Sequence, residues 1–186
     1  NLGDIYYMSG EYNYGRLKKI TEGWRSKIPF YSVMHGGGLH IIDLMLWLVE
    51  KNVKKVIALG NNISTKKTKF RFNDLVSSLM EFENGITANV TANFASVTDH
   101  HHTLSVYGKK GTFIQKYKDV TFRKSRNKNE KKKIISYNYL NKDKSFILNN
   151  FINSIINNKK PVVTKNDILK TMAVSLAVEK SVKSQM

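Results

Sequence analysis

The alternation of apolar and polar side chains divides this chain into a strand-rich body and two closing helices. Residues 2–14, LGDIYYMSGEYNY, alternate loosely and are rich in aromatics, which predicts a first strand. A loop punctuated by Gly15, Gly23 and Pro29 follows. From Leu39 to Glu50, apolar residues stand at 41, 42, 44, 45, 46, 48 and 49, predicting a helix buried on most of its surface. Residues 53–61, 73–82 and 86–95 then read as strands, with Asn84-Gly85 as a strong hairpin turn between the last two. Residues 103–108 and 112–117 predict a second hairpin across Lys109-Lys110-Gly111. A lysine-rich tip lies between the short run at 120–122 and an alternating segment at 133–140.

The last part of the chain changes period. Residues 145–157 carry Ile147, Leu148, Phe151, Ile152, Ile155 and Ile156 at helical spacing, and Asn157 to Pro161 stops the helix. Thr164 precedes Asp167 by three positions, the spacing of a capping box. Ile168, Leu169, Met172, Ala173, Leu176 and Ala177 are expected to form the inward stripe of the final helix. Without a repeat or a dividing linker, residues 1–186 read as one α+β domain. Its sheet is expected to be mostly antiparallel, with helices on one face. The other face is expected to be apolar enough to pair subunits into a homo-oligomer.

Composition narrows the class. The chain has 186 residues, 41% of them hydrophobic, which suits a globular domain with a real core. Cysteine is absent, which excludes disulfides and thiolate metal sites and fits a reducing cytoplasm. The longest apolar run is broken by Asp43 and is too short to span a bilayer. Lysine and arginine number 31 against 14 acids, a net charge of +17. That balance raises nucleic acid as an alternative partner. Nearly half of the excess lies between Lys116 and Lys144, however, and no nucleic-acid-binding signature accompanies it. A solvated basic surface is the simpler reading.

Chemistry concentrates in SVMHGGGLHIIDLMLWL, residues 32–48. Gly36-Gly37-Gly38 matches neither phosphate-loop nor dinucleotide fingerprint, which leaves a close-packed turn or an anion contact at a helix start. His40 and Asp43 share a helical face, and His100 and His102 would share a strand face. HExxH is absent and neither group has a second clustered carboxylate, so a metal site is not expected. A histidine in the first turn would meet the positive helix dipole, which favours a neutral, proton-accepting ring. Asp43 could orient it or bind a substrate hydroxyl, although a histidine satisfied by backbone fits the spacing equally well.

With these residues in view, GGGLHIIDLMLWL resembles the active-site helix of the glucose-fructose oxidoreductase/inositol dehydrogenase (Gfo/Idh/MocA) family, with Gly38, His40, Asp43 and Trp47 matching. LGDIYYMSGEY, FENGITANV, VYGKKGTF and the closing FINSIINNKKPVVTKNDILKTMAVSLAVEKS follow in the family's order. The resemblance implies a C-terminal substrate and oligomerisation domain of the glyceraldehyde-3-phosphate-dehydrogenase-like type. A Rossmann domain upstream of Asn1 would hold NAD or NADP, and this chain would supply no cofactor-binding residue. The substrate would be a sugar, cyclitol or nucleotide sugar, with His40 moving the proton as hydride passes. The aspartate that the resemblance leads one to expect four residues earlier is Gly36, and His35 could take part instead. In the loop before the glycines, Arg16, Lys18 and Arg25 can bind carboxylate or phosphate, and Trp24 offers a stacking face. With His35 and Asp43 they form the expected substrate set. An exposed basic loop and a core tryptophan are the plainer alternatives. Loss of catalysis, with binding retained, is the alternative that Gly36 raises.

Overall fold

A computed structural model describes residues 2–117, 119–127, 129, 133–135 and 145–184. Eight strands form one sheet: β1 (Ile5–Asn13), β2 (Val53–Asn61), β3 (Leu75–Phe82), β4 (Thr87–Asn93), β5 (His101–Gly108), β6 (Gly111–Gln115), β7 (Val120–Arg123) and β8 (Lys133–Ile135). Their spatial order is β2-β3-β4-β1-β5-β6-β7-β8. All neighbours are antiparallel except β1 and β4, which run parallel with Tyr7 beside Thr87 and Asn13 beside Asn93. The first strand therefore inserts between two hairpins. Gly85, at φ +81°, makes the predicted β3–β4 turn, where the left-handed region favours glycine. The expected strand at 133–140 is described only over β8, and its remainder lies outside the described residues.

The helices are α1 (Lys18–Thr21), α2 (Leu39–Val49), α3 (Ser145–Ile156) and α4 (Lys165–Lys183), with a 3-10 turn at Trp24–Ser26 and a π-helical turn at Met34–Gly38. The core lies between the sheet and the α2–α4 layer. Met8, Tyr12, Val76, Met80, Val90 and Val106 point into it from alternate strand positions, meeting Ile41, Ile42 and Met45 of α2 and Val178 of α4. This is the α+β arrangement expected from the pattern.

Two expectations fail. The inward face of α4 is Thr171, Val174, Ser175, Val178 and Val182, whereas Ile168, Leu169 and Leu176 are exposed. Small and β-branched residues sit inward because α4 lies close against β2, where Ser181 Oγ accepts the Ala58 N–H at 2.9 Å. The open sheet face is mostly short and polar rather than apolar. Ser77 and Thr91 share a 2.9 Å hydrogen bond there, and Asn89 Nδ2 donates to the Ser78 carbonyl at 3.1 Å. Apolar groups on that face gather at the Ile57–Leu59–Leu79 corner and at the Tyr7–Tyr107 pair. Alternation places one polar residue in two on this face, and threonine satisfies strand propensity without adding an apolar surface.

Candidate active site

The glycine run is helical. Backbone helix begins at Val33, passes through the π turn at Met34–Gly38 and continues without a break into α2. Ser32 caps this start, its Oγ accepting the His35 N–H at 3.0 Å. The expected close approach is present, but as packing inside a helix. A Cβ on Gly37 would lie 2.4 Å from the Tyr12 ring, and one on Gly38 would lie 2.2 Å from Met34 Sδ. Both glycines are buried against the sheet. His40 accordingly sits well inside the helical run. A dipole effect confined to the first turn does not reach it.

Tyr12, near the end of β1, is the hub of the site. Its ring centre lies 5.9 Å from His40, 5.1 Å from His100, 4.6 Å from His102 and 5.7 Å from Phe94. Residues separated by up to ninety positions meet here because β5 pairs with β1, with His102 beside Tyr12. Tyr14 extends the stack, 4.5 Å from Phe94 and 5.5 Å from His100. Burial depresses the His102 pKa to about 4, helped by the neighbouring His100 and His40. His100 is also pushed down, by burial first and then by Arg16. Both rings are neutral at physiological pH, and among the described residues neither Nε2 atom has a hydrogen-bond partner. A buried unpaired nitrogen costs about 1–3 kcal/mol, and such groups concentrate where function overrides stability.

The two rings meet edge-to-face with their centres 5.1 Å apart beside Tyr12, and no group of three or more metal-ligating side chains suited to an ion occurs among the described residues. His101, by contrast, turns to the open face and bonds the Asp99 carbonyl through Nδ1 at 2.8 Å.

The expected substrate residues divide. Arg16 lies over the Tyr14 ring at 5.5 Å, and Arg25 lies over Trp24 at 4.6 Å. Both guanidinium groups act on the Tyr12 hydroxyl, so they border the aromatic hub. Trp24 is 61% exposed and is a surface residue, not a core one. Lys18 is exposed on α1. His35 and Asp43 are engaged with α4 instead. Ser175 Oγ lies 2.9 Å from His35 Nδ1, and Thr171 Oγ1 donates to Asp43 at 2.8 Å. Asp43 also borders a cavity of about 740 Å³ with Leu46, Trp47, Val162 and Val163.

Sequence reasoning missed Tyr12, Tyr14 and Tyr31 as site residues and set His100 and His102 aside. Tyr31 packs edge-to-face on Phe70 and Phe94, at 5.7 and 6.2 Å. Burial raises its phenol above the ordinary range, and Arg25 opposes that shift. The only signal in the chain was the density of tyrosine and histidine at two predicted strand ends.

Fold and site together define an α+β domain built on a mixed sheet, with a histidine presented by a helix against the sheet end. The chain belongs to the GFO/IDH/MocA family, whose C-terminal domain model matches residues 1–114. No curated protein matches it. Among solved structures it is similar to UDP-N-acetylglucosamine 3-dehydrogenase from Acidithiobacillus ferrooxidans (15% identity, TM-score 0.76, covering 99% of this chain and 55% of that one). It is also similar to an NAD binding oxidoreductase from Klebsiella pneumoniae (14% identity, TM-score 0.79, 100% and 58%). A third similar structure is levoglucosan dehydrogenase in complex with NADH and levoglucosan (14% identity, TM-score 0.77, 98% and 57%). At these identities the likeness is one of fold. The chain spans little more than half the length of each of these structures.

Proposed function

We propose that this chain is the substrate and oligomerisation domain of an NAD(P)-dependent oxidoreductase acting on a hydroxyl or carbonyl of a sugar, cyclitol or nucleotide sugar. The observation that carries the reading is the placement of His40 against Tyr12 and the neutral His100–His102 pair, in a chain of this family. Solved structures of similar fold include a nucleotide-sugar dehydrogenase and a levoglucosan dehydrogenase, which supports the same substrate class.

Gly36-Gly37-Gly38 does not match a dinucleotide fingerprint, and the NAD(P) is assigned to a Rossmann domain outside this chain. When bound, the nicotinamide supplies the hydride acceptor or donor. This chain's task is the proton and the substrate: His40 accepts the hydroxyl proton during oxidation or returns it during reduction. Arg16 and Arg25, beside the hub without a carboxylate partner among the described residues, suit an acidic or nucleotide-linked sugar. The open sheet face is assigned to a second copy, in a wet, polar contact rather than an apolar one. Among the described residues, no helix is long and apolar enough to cross a membrane.

The complete protein, assayed with a panel of hexoses, uronic acids, cyclitols and UDP-sugars against NAD⁺ and NADP⁺, tests the reading. His40→Ala should lower kcat by about 10²–10⁴-fold while substrate still binds. Unchanged turnover in that variant removes His40 from the chemistry, and the 186-residue chain alone should show none.

A further inference from the structure

We propose that the Tyr31 hydroxyl binds the reacting oxygen of the substrate, from the space that a side chain on residue 36 would otherwise occupy, one helical turn before His40. The inference rests on the oxidoreductase reading and assigns a residue that reading did not include. Gly36 and His40 are four positions apart on one face of the helical run, and both are exposed. A Cβ on Gly36 would lie 2.5 Å from Tyr31 Oη and 3.0 Å from Tyr31 Cζ. The glycine thus leaves room for a phenol from the preceding loop.

The phenol is held in place from several sides. Its ring is fixed edge-to-face by Phe70 and Phe94, and Phe94 stacks on Tyr12, which also carries His40. Tyr31 and His40 therefore hang from one aromatic frame. The Arg25 guanidinium acts on the same hydroxyl, opposing the rise in its pKa. A half-buried phenol stays protonated at neutral pH and donates, which complements an imidazole that accepts. When bound, the nicotinamide would take the carbinol hydrogen as hydride while the C=O bond forms. The hydroxyl proton passes to His40, and Tyr31 keeps its own proton while donating a hydrogen bond to the same oxygen. Such a donor is worth more as negative charge builds on that oxygen.

Three readouts on the complete protein test this, using the sugar panel above with NAD⁺ or NADP⁺. Tyr31→Phe should lower kcat by about 10²-fold with an unchanged melting temperature. Gly36→Ala should displace the hydroxyl and cause a similar loss, and the double variant should be no worse than Tyr31→Phe alone. In the wild-type protein, the carbon-13 signal of Tyr31 Cζ should shift when the active sugar is added. Full kcat in Tyr31→Phe, fully additive losses, or an unmoved Tyr31 signal would each overturn the proposal. If Tyr31→Phe is unstable, the NMR signal alone decides. Absence of turnover by the wild-type protein on the whole panel overturns the oxidoreductase reading, and this proposal with it. Normal wild-type turnover with an indifferent Tyr31 overturns this proposal alone.

Discussion

The two closing helices differ in a way their sequences disguise. α3 is the more apolar, yet Phe146, Phe151, Ile152, Ile155 and Ile156 are all exposed, and among the described residues it packs extensively on no other element. α4 is the more polar, yet it forms half of the helical layer over the sheet. What docks α4 is a column of short side chains. Val174, Val178 and Val182 meet the core, while Thr171, Ser175 and Ser181 bond to Asp43, His35 and the β2 backbone. Ser32, the cap of the helical run leading into α2, donates a hydrogen bond to Glu179 of α4. Close approach lets hydroxyls reach backbone and side-chain partners, and bulky apolar residues at those positions would hold the helix away. Hydrophobic content therefore identifies both helices but does not say which one is docked.

Substitutions of matched chemistry in the two helices make that contrast measurable. Val178→Asp places an unpaired charge in the core beneath α4 and should cost about 4 kcal/mol, read as a lower urea midpoint. Ser175→Ala removes the partner of His35 Nδ1 and should cost about 1 kcal/mol, with the loss falling on the π turn and α2 in hydrogen exchange. Ile155→Asp on α3, where the native side chain is 64% exposed, should change stability by less than about 0.5 kcal/mol. Equal costs for Val178→Asp and Ile155→Asp would erase the distinction between the helices. A neutral Ser175→Ala would reduce the docking of α4 to its valines.

Much of the architecture was legible in local patterns. The Asn84-Gly85 turn, the limits of β2 and the Thr164–Asp167 capping box follow from residues within a few positions of one another. The parallel pairing of β1 with β4 was not legible, because it depends on which hairpins flank the first strand. For the same reason the site was only partly legible. His40 announced itself by its place before an apolar helix, whereas His100 and His102 became neighbours of Tyr12 only through the register of β1 on β5. The chemical meaning of Gly36 was hidden too. In sequence it is a missing side chain, and in space it is the clearance for Tyr31.

The sequence by itself determined the elements, their order and the helix bearing His40, because periodicity, turn chemistry and capping act over a few bonds. Tertiary structure decided which face of α4 is buried, that Gly37 and Gly38 pack against the sheet within a helix, and which rings gather around Tyr12. Those outcomes depend on contacts between residues distant in the chain, and no local preference encodes them.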